Sequence, residues 1–264
     1  MTIDKTTATT EKAAVQGTAA FSKFMTILQI VSDSDEPLTT AAIAKLANLP
    51  RPTAYRIIAA LLSEGMLVEN TSGRLGLGPR LISLAARSFE RSDIRTTARG
   101  PLETLRDTVN ETIHLAVNSG DEMVYIDKLE SNRPVSMRSR IGTRVPLYSS
   151  SVGKAWLSTL PETEATKIIA TLSFEAKTEH TVSGVTALST QLVDVRRRGY
   201  SLDLEENEAE ICCYGVPIVA GEGEAIACIS CSIPRYRFET LPADSIVSHM
   251  KACAAEIAMQ VRRT

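Results

Sequence analysis

Leu49-Pro50-Arg51-Pro52-Thr53-Ala54-Tyr55-Arg56-Ile57-Ile58-Ala59-Ala60-Leu61-Leu62-Ser63 is the stretch on which the fold turns. Pro52 suits the first turn of a helix, where its missing N–H costs nothing and its fixed φ is already helical. At 100° per residue Ala54, Ile57, Ile58, Leu61 and Leu62 fall on one arc, while Pro52, Thr53, Arg56, Ala59, Ala60 and Ser63 fall on the other. The outer arc carries small residues, so its backbone can approach a groove closely. Thr53 and Arg56 place donors near the helix start, where recognition helices meet base edges and phosphates. Tyr55, at the edge of the arc, reaches a phosphate or a stacking partner.

Working outward from that helix, Asn48 tolerates the left-handed conformation of a tight turn. Before it, Thr39 or Thr40 is placed to cap a short helix over residues 41–47 with Ile43 and Leu46 facing inward. Further upstream Phe21, Phe24, Leu28 and Val31 recur at helical steps and stop in the polar cluster 32–35. Downstream, residues 66–69 and 74–77 flank Asn70-Thr71-Ser72-Gly73, a hairpin composition. Three helices and a hairpin make a winged helix-turn-helix, and duplex DNA is the partner such a unit binds. Thr40, Lys45, Arg51, Arg74 and Arg80 join Thr53, Tyr55 and Arg56 as candidate DNA contacts. The Thr- and Ala-rich segment 1–16 reads as a mobile tail, 17–79 as the DNA-binding domain, and 80–93 as a linker helix with Leu81, Ile82, Leu84 and Ala85 apolar.

From residue 94 to 264 helices alternate with strand-like runs, an α+β pattern. Strands are expected over 112–117, 123–128, 135–140, 200–204, 212–219 and 225–233, and helices over 101–109, 153–160, 162–172, 186–198 and 242–261. The chain has 264 residues, 44% hydrophobic and 23% charged, with no apolar run long enough to span a membrane and no secretory signal, so a cytoplasmic globular protein is expected. The formal net charge is −2, but residues 1–92 hold ten Lys or Arg against eight Asp or Glu, and the remainder 19 against 23. Attraction to phosphate must therefore come from placement rather than excess.

The motifs resemble the IclR family of bacterial regulators over nearly the whole chain. Glu36-Pro37-Leu38-Thr39, residues 49–56 and Leu75-Gly76-Leu77-Gly78-Pro79-Arg80-Leu81 resemble its helix-turn-helix and wing. Glu111-Thr112-Ile113-His114-Leu115-Ala116-Val117, residues 141–148, Val152-Gly153-Lys154-Ala155 and Arg198-Gly199-Tyr200-Ser201-Leu202-Asp203 follow in order and spacing. The resemblance implies a GAF-like effector-binding domain with an antiparallel sheet, a homodimer, often a dimer of dimers, and a pocket for a small organic acid. It places Ser151 and Val152 as backbone N–H donors to a carboxylate, Asp203 and Cys213 in the lining, and Ser230 and Ser232 as hydroxyls from one strand face. Pro146-Leu147-Tyr148 is similar to members that respond to sugar-derived keto acids.

Rival chemistries are open to the same residues. Cys228-Ile229-Ser230-Cys231 has the spacing of a redox pair or half a metal site, but residues three apart on a strand point to opposite faces. Asp203, Glu205, Glu206 and Glu208 offer carboxylates for acid–base work, yet no nucleophile and base pair stands out. An enzyme, or a redox or metal sensor, is thus the alternative to an effector-responsive regulator. No cofactor and no metal are expected.

Overall fold

The computed structural model describes residues 18–90, 93–134, 137–221 and 223–263. The expected tail over 1–16 lies outside them. The chain divides into two units, Met1–Arg91 and Ser92–Thr264.

The first unit runs α1 (Ala19–Asp33), α2 (Thr40–Leu46), α3 (Arg51–Ser63), β1 (Leu67–Glu69), β2 (Leu75–Leu77) and α4 (Pro79–Glu90). Thr39 caps α2 by accepting from the Ala42 N–H at 3.2 Å, and Asn48 makes the turn to α3 with φ of +50°. β1 and β2 pair antiparallel, and Asn70 Oδ1 closes the turn by accepting from the N–H groups of Ser72 and Arg74, both at 3.0 Å. Ile27, Leu28, Val31, Ile43, Ile57, Ile58, Leu61, Leu67 and Leu75 form the core.

Two expected core residues point outward. Leu46 is 62% exposed, because Ile43, Ala44 and the half-buried Ala47 fill the inward face of the two-turn α2. Phe21 is also exposed, and α1 packs through Phe24, Ile27, Leu28 and Val31, one turn further on. Of the apolar residues of α4, Leu81 packs on this core while Ile82 and Leu84 are exposed. Helix α4 ends at Glu90; of the remainder of the expected linker helix 80–93, Arg91 and Ser92 lie outside the described residues and Asp93 opens the next helix.

The second unit opens on α5 (Asp93–Val109), eight residues earlier than expected, with Pro101 inside the helix. It continues through β3 (Thr112–Ser119), β4 (Glu122–Leu129), β5 (Arg144–Pro146), α6 (Ser151–Thr159), α7 (Glu162–Thr171), α8 (Val185–Arg198), β6 (Ser201–Leu204), β7 (Ile211–Ile218), β8 (Ala227–Pro234), α9 (Arg235–Phe238) and α10 (Ala243–Val261). The strands form one antiparallel sheet in the order β5-β4-β3-β8-β7-β6. The strand expected over 135–140 is absent from the described part of that stretch. Val135 and Ser136 lie outside the described residues, Met137–Arg140 is loop, and β5 forms instead at 144–146, with Met123 opposite Val145.

Both sheet faces are covered. Alternate residues of β7 and β8 pack on α5 and α10: Tyr214, Val216 and Ile218 with Ile229, Cys231 and Ile233. The other face packs on α6, α7 and α8 through Ala116, Met123, Val152, Leu157, Ile169, Leu188 and Cys228. Cys228 and Cys231 thus sit in separate cores on opposite faces. The molecule is α+β, a helix-turn-helix unit followed by a curled antiparallel sheet between helices.

Candidate functional site

In the first unit, α3 buries Ala54, Ile57, Ile58 and Leu61 and leaves Arg51, Pro52, Tyr55, Arg56 and Ala59 exposed. Thr53 is half-buried on the same outer side. Among the described residues no hydrogen bond or ion pair engages the side chains of Arg51, Tyr55, Arg56 or Lys45 with any other group. Arg74 and Arg80 differ, because each has structural work. Arg74 donates to the Pro37 carbonyl at 3.2 Å, tying the wing to the segment before α2. Arg80 donates to the Glu64 carbonyl at 3.1 Å and pairs with the Glu64 carboxylate, closing the end of α3. Thr40 is the first residue of α2 and is half-buried.

In the second unit the sheet face beneath α6 carries a cavity of about 220 Å³, whose lining includes His114, Tyr125, Arg138, Ser151, Asp203 and Ser232. Strand register explains why these residues meet. Asp203 pairs with Cys213 and Cys213 with Ser232; in the neighbouring row Ser201, Gly215, Ser230, His114 and Lys128 follow one another across five strands. Hydroxyls link the rows: Ser151 Oγ to Ser230 Oγ at 3.1 Å, Ser230 to Ser232 at 3.4 Å, and Ser232 to His114 Nδ1 at 3.3 Å. Cys213 Sγ donates to Ser232 Oγ at 3.2 Å.

Helix α6 sits low over this face because two glycines allow it. A Cβ on Gly153 would stand 2.5 Å from the Leu147 Cα, and one on Gly215 would run into Ser201 Oγ and the Ser151 carbonyl. Ser150 caps the helix by accepting from the Gly153 N–H at 3.1 Å. Ser151 and Val152 therefore open a helix rather than lie in a loop, with first-turn N–H groups at its positive end. Val152 is fully buried in the core and, unlike Ser151, is not among the residues that line the cavity. Of the expected pocket residues, Ser151, Asp203, Cys213 and Ser232 line the cavity, and Ser230 lies just beneath, bonded to two of them.

The electrostatics are those of a buried polar site. Burial pushes the Asp203 carboxyl up to about 7, opposed by the Lys154 ammonium and by the N–H of Glu206 at 2.8 Å. Burial, helped by the Lys128 charge, pushes His114 down to about 3, so its imidazole is neutral at physiological pH. Burial also holds the Cys213 thiol and the Tyr125 phenol protonated, well above their ordinary values. A thiol held protonated is a poor nucleophile and a poor metal ligand. Among the described residues no group of three or more His, Cys, Asp or Glu is placed to hold a metal ion.

Several lining residues were not legible from spacing. The ladder shifts by one residue between Leu115 and Ala116, so that Leu115 faces Asp127 and Ala116 faces Tyr125. This bulge at Ile126 brings Lys128 and Tyr125 to one face, and Tyr125 stacks on His114 with centroids 4.3 Å apart. Lys128 Nζ donates to the carbonyls of Met137 and Ser139, both at 2.8 Å, and His114 Nε2 meets Ser139 Oγ at 2.7 Å. The loop 137–139 is thereby strapped over the cavity. The exposed Arg138 of this strap lines the cavity and has no hydrogen bond or ion pair among the described residues.

The comparisons with known proteins agree with this architecture. The family description "IclR helix-turn-helix domain" matches residues 21–71, and "Bacterial transcriptional regulator IclR C-terminal" matches residues 86–259. The chain is 30% identical over 241 residues to the probable transcriptional regulator SauR of Cupriavidus necator, covering 90% of this chain and 95% of the relative. It is 31% identical over 240 residues to the transcriptional regulator KdgR of Escherichia coli, covering 90% and 91%. The crystal structure of Thermotoga maritima IclR superposes with a TM-score of 0.71 at 30% identity, covering 92% of this chain and 98% of that one. An IclR homologue from Microbacterium hydrocarbonoxydans, crystallised with 4-hydroxybenzoate, superposes with a TM-score of 0.76 at 25% identity, covering 93% and 100%.

Proposed function

The chain belongs to the IclR family of bacterial transcriptional regulators and carries that family's helix-turn-helix DNA-binding domain, and from this premise we propose that a small organic acid held in the cavity modulates its operator binding. It is a regulator, not an enzyme. Two recognition helices of a homodimer, or of a dimer of dimers, enter successive major grooves of a pseudo-palindromic operator. Thr53, Tyr55 and Arg56 meet base edges and nearby phosphates, with Arg51, Thr40 and Lys45 on the backbone. Arg74 ties the wing to Pro37 and Arg80 closes the end of α3 on Glu64, so their guanidinium groups serve the fold of the unit rather than the phosphates.

The observation that carries the effector reading is the polar floor of the cavity under the positive end of α6. Ser151, Ser230, Ser232 and His114 form a continuous chain of hydroxyl and imidazole groups there, beside a carboxyl that burial keeps near neutrality. A carboxylate accepts from the first-turn N–H groups of Ser151 and Val152, favoured by the helix dipole. Asp203 and Cys213 then face the rest of the ligand. The volume of about 220 Å³ falls below the roughly 300–1,000 Å³ of sites for drug-sized ligands, which favours a compact acid such as a sugar-derived keto acid. The relative crystallised with 4-hydroxybenzoate supports an acid as the class.

The test is a thermal-shift screen of keto acids, sugar acids and aromatic acids on the full chain. An acid that binds the folded protein at 100 times its Kd adds about 2.7 kcal/mol and raises the midpoint. A panel in which no acid moves the midpoint would remove the acid as effector class.

A further inference from the structure

Helix α6 carries one residue in the cavity wall and one buried charge behind it. At its start Ser151 lies in the lining; one turn on, Lys154 is fully buried behind it, a placement that lysine rarely takes unpaired. Lys154 Nζ donates to Glu206 Oε1 at 2.6 Å and to Gln191 Oε1 at 3.1 Å. Glu206 Oε2 is buried and has no hydrogen-bond partner among the described residues. Lys154 is thus the chief compensation for a buried carboxylate, and the pair is held on one side only.

What Glu206 belongs to is the turn after β6. Its own N–H donates to Asp203 Oδ1 at 2.8 Å, and the next residue, Asn207, donates there at 3.3 Å. Glu205, where the turn begins, holds φ of +61°, a conformation non-glycine residues seldom adopt. Thr178 and Thr181 donate to the carbonyls of Glu205 and Glu206 at 2.6 and 2.7 Å. Asn207 and Glu208, at the far end of the turn, line the cavity with Asp203.

We infer that Lys154 and Glu206 are the positioning pair of the cavity: through them α6 grips the 205–208 turn and fixes Asp203, Asn207 and Glu208 toward a bound acid. The inference rests on reading the cavity as the effector site, but its test needs no effector. The titratable and charged groups around Asp203 are Lys154 from α6, Glu206 from the turn, Cys212 and Cys213 from β7 and Tyr125 from β4, with His114 from β3, Glu208 from the turn and Arg138 from the strap in the same cavity lining. Lys154 draws the Asp203 carboxyl down and the Glu206 charge pushes it up. Removing each partner must therefore move Asp203 in opposite directions, whereas loosening of a purely structural brace would let water in and move it the same way, toward its ordinary value.

The experiment follows the Asp203 carboxyl by carbon-13 NMR across pH in the full, ligand-free chain. Lys154→Met is expected to raise the Asp203 midpoint and Glu206→Gln to lower it, each by roughly one pH unit. Loosening and loss of the Glu206 charge both lower the midpoint, so the Lys154 variant decides the question; Lys154→Gln, which keeps a donor for Glu206, takes its place if Lys154→Met does not fold, and Lys154→Arg is expected to restore most of the wild-type midpoint. Shifts of the same sign in both variants, or no shift in Glu206→Gln, would overturn the inference. An acid screen that fails on the wild-type protein would remove the effector reading and leave the titration result standing.

Discussion

Gly153→Ala is expected to destabilise the second unit, although Gly→Ala inside a helix ordinarily stabilises. In open space the change gains about 0.5–1 kcal/mol by restricting the unfolded chain. At position 153 the new Cβ would lie 2.5 Å from the Leu147 Cα, 2.6 Å from its carbonyl oxygen and 2.8 Å from its carbonyl carbon. Carbon pairs rest at about 3.5–4.0 Å, so α6 and the 147 backbone must part by roughly 1 Å. No side chain can rotate to relieve this, because all three atoms are backbone. Overpacking of this kind costs about 1–3 kcal/mol, which outweighs the helix gain and lowers the melting point by roughly 2–4 °C per kcal/mol in a unit of this size. The same retreat lifts Ser151 from Ser230, now 3.1 Å apart, and so weakens acid binding. Urea unfolding followed by circular dichroism reads the stability. An alanine variant as stable as wild type, or more so, would refute the close approach of α6 on which the cavity depends.

Further expectations follow from single residues. Arg56→Ala should weaken binding to a duplex selected by the protein from random sequence at least several-fold, as loss of a contact costing about 1–3 kcal/mol does, and unchanged affinity in a gel-shift titration would remove Arg56 from the interface. Arg80→Ala, whose guanidinium is spent on Glu64, should leave the salt dependence of that binding unchanged; a slope lower by about one would show a phosphate contact instead. Asp203, raised from 3.8 to about 7, binds its proton more tightly when folded, so its stabilising effect is complete below pH 3.8 and lost as pH rises through 7. Urea midpoints measured at pH 5 and pH 8 should therefore differ less in Asp203→Asn than in wild type, and an equal difference would contradict the buried carboxyl. Arg237→Met should cost roughly 3 kcal/mol, because it strips the bonds at 2.6 and 3.0 Å from the fully buried Glu111 and leaves only Arg133 at 3.6 Å; a loss below 1 kcal/mol in denaturant titration would show that Glu111 is not held by this pair.

The DNA-binding half was legible because its signals are local. Thr39, Asn48, Pro52 and the Asn70–Gly73 turn each carry one physical preference, and the apolar arc of α3 runs long enough to fix its phase. Phase failed where elements are short: a two-turn helix does not say whether Leu46 or Ala47 completes its inner face. In the second unit Asp203, Cys213, Ser230 and Ser232 were reached through family motifs and period-two spacing along the strands. Tyr125 was not, because the bulge at Ile126 changes which residues of β4 share a face and leaves no mark in composition; His114 was not, because its place beside Ser230 depends on the pairing of β3 with β8, far along the chain. A three-residue strand such as 144–146 is too short to show alternation, and the β-like run at 135–140 drew the assignment away from it. Lys154 stands in a family motif, but nothing near it in sequence marks it as buried, since its partner lies 52 residues further along the chain.

The central claim is that cavity and operator are coupled, and coupling is reciprocal: an acid that changes DNA affinity by some factor must have its own affinity changed by the same factor when DNA is bound. Fluorescence anisotropy on the selected duplex, with and without the acid found by thermal shift, gives one factor; calorimetry of that acid on free and DNA-bound protein gives the other. A ligand-gated regulator predicts equal factors of about 5–150, both collapsing toward one when Asp203 is replaced by Asn. An acid that binds the wild-type cavity and leaves DNA affinity unchanged would contradict it.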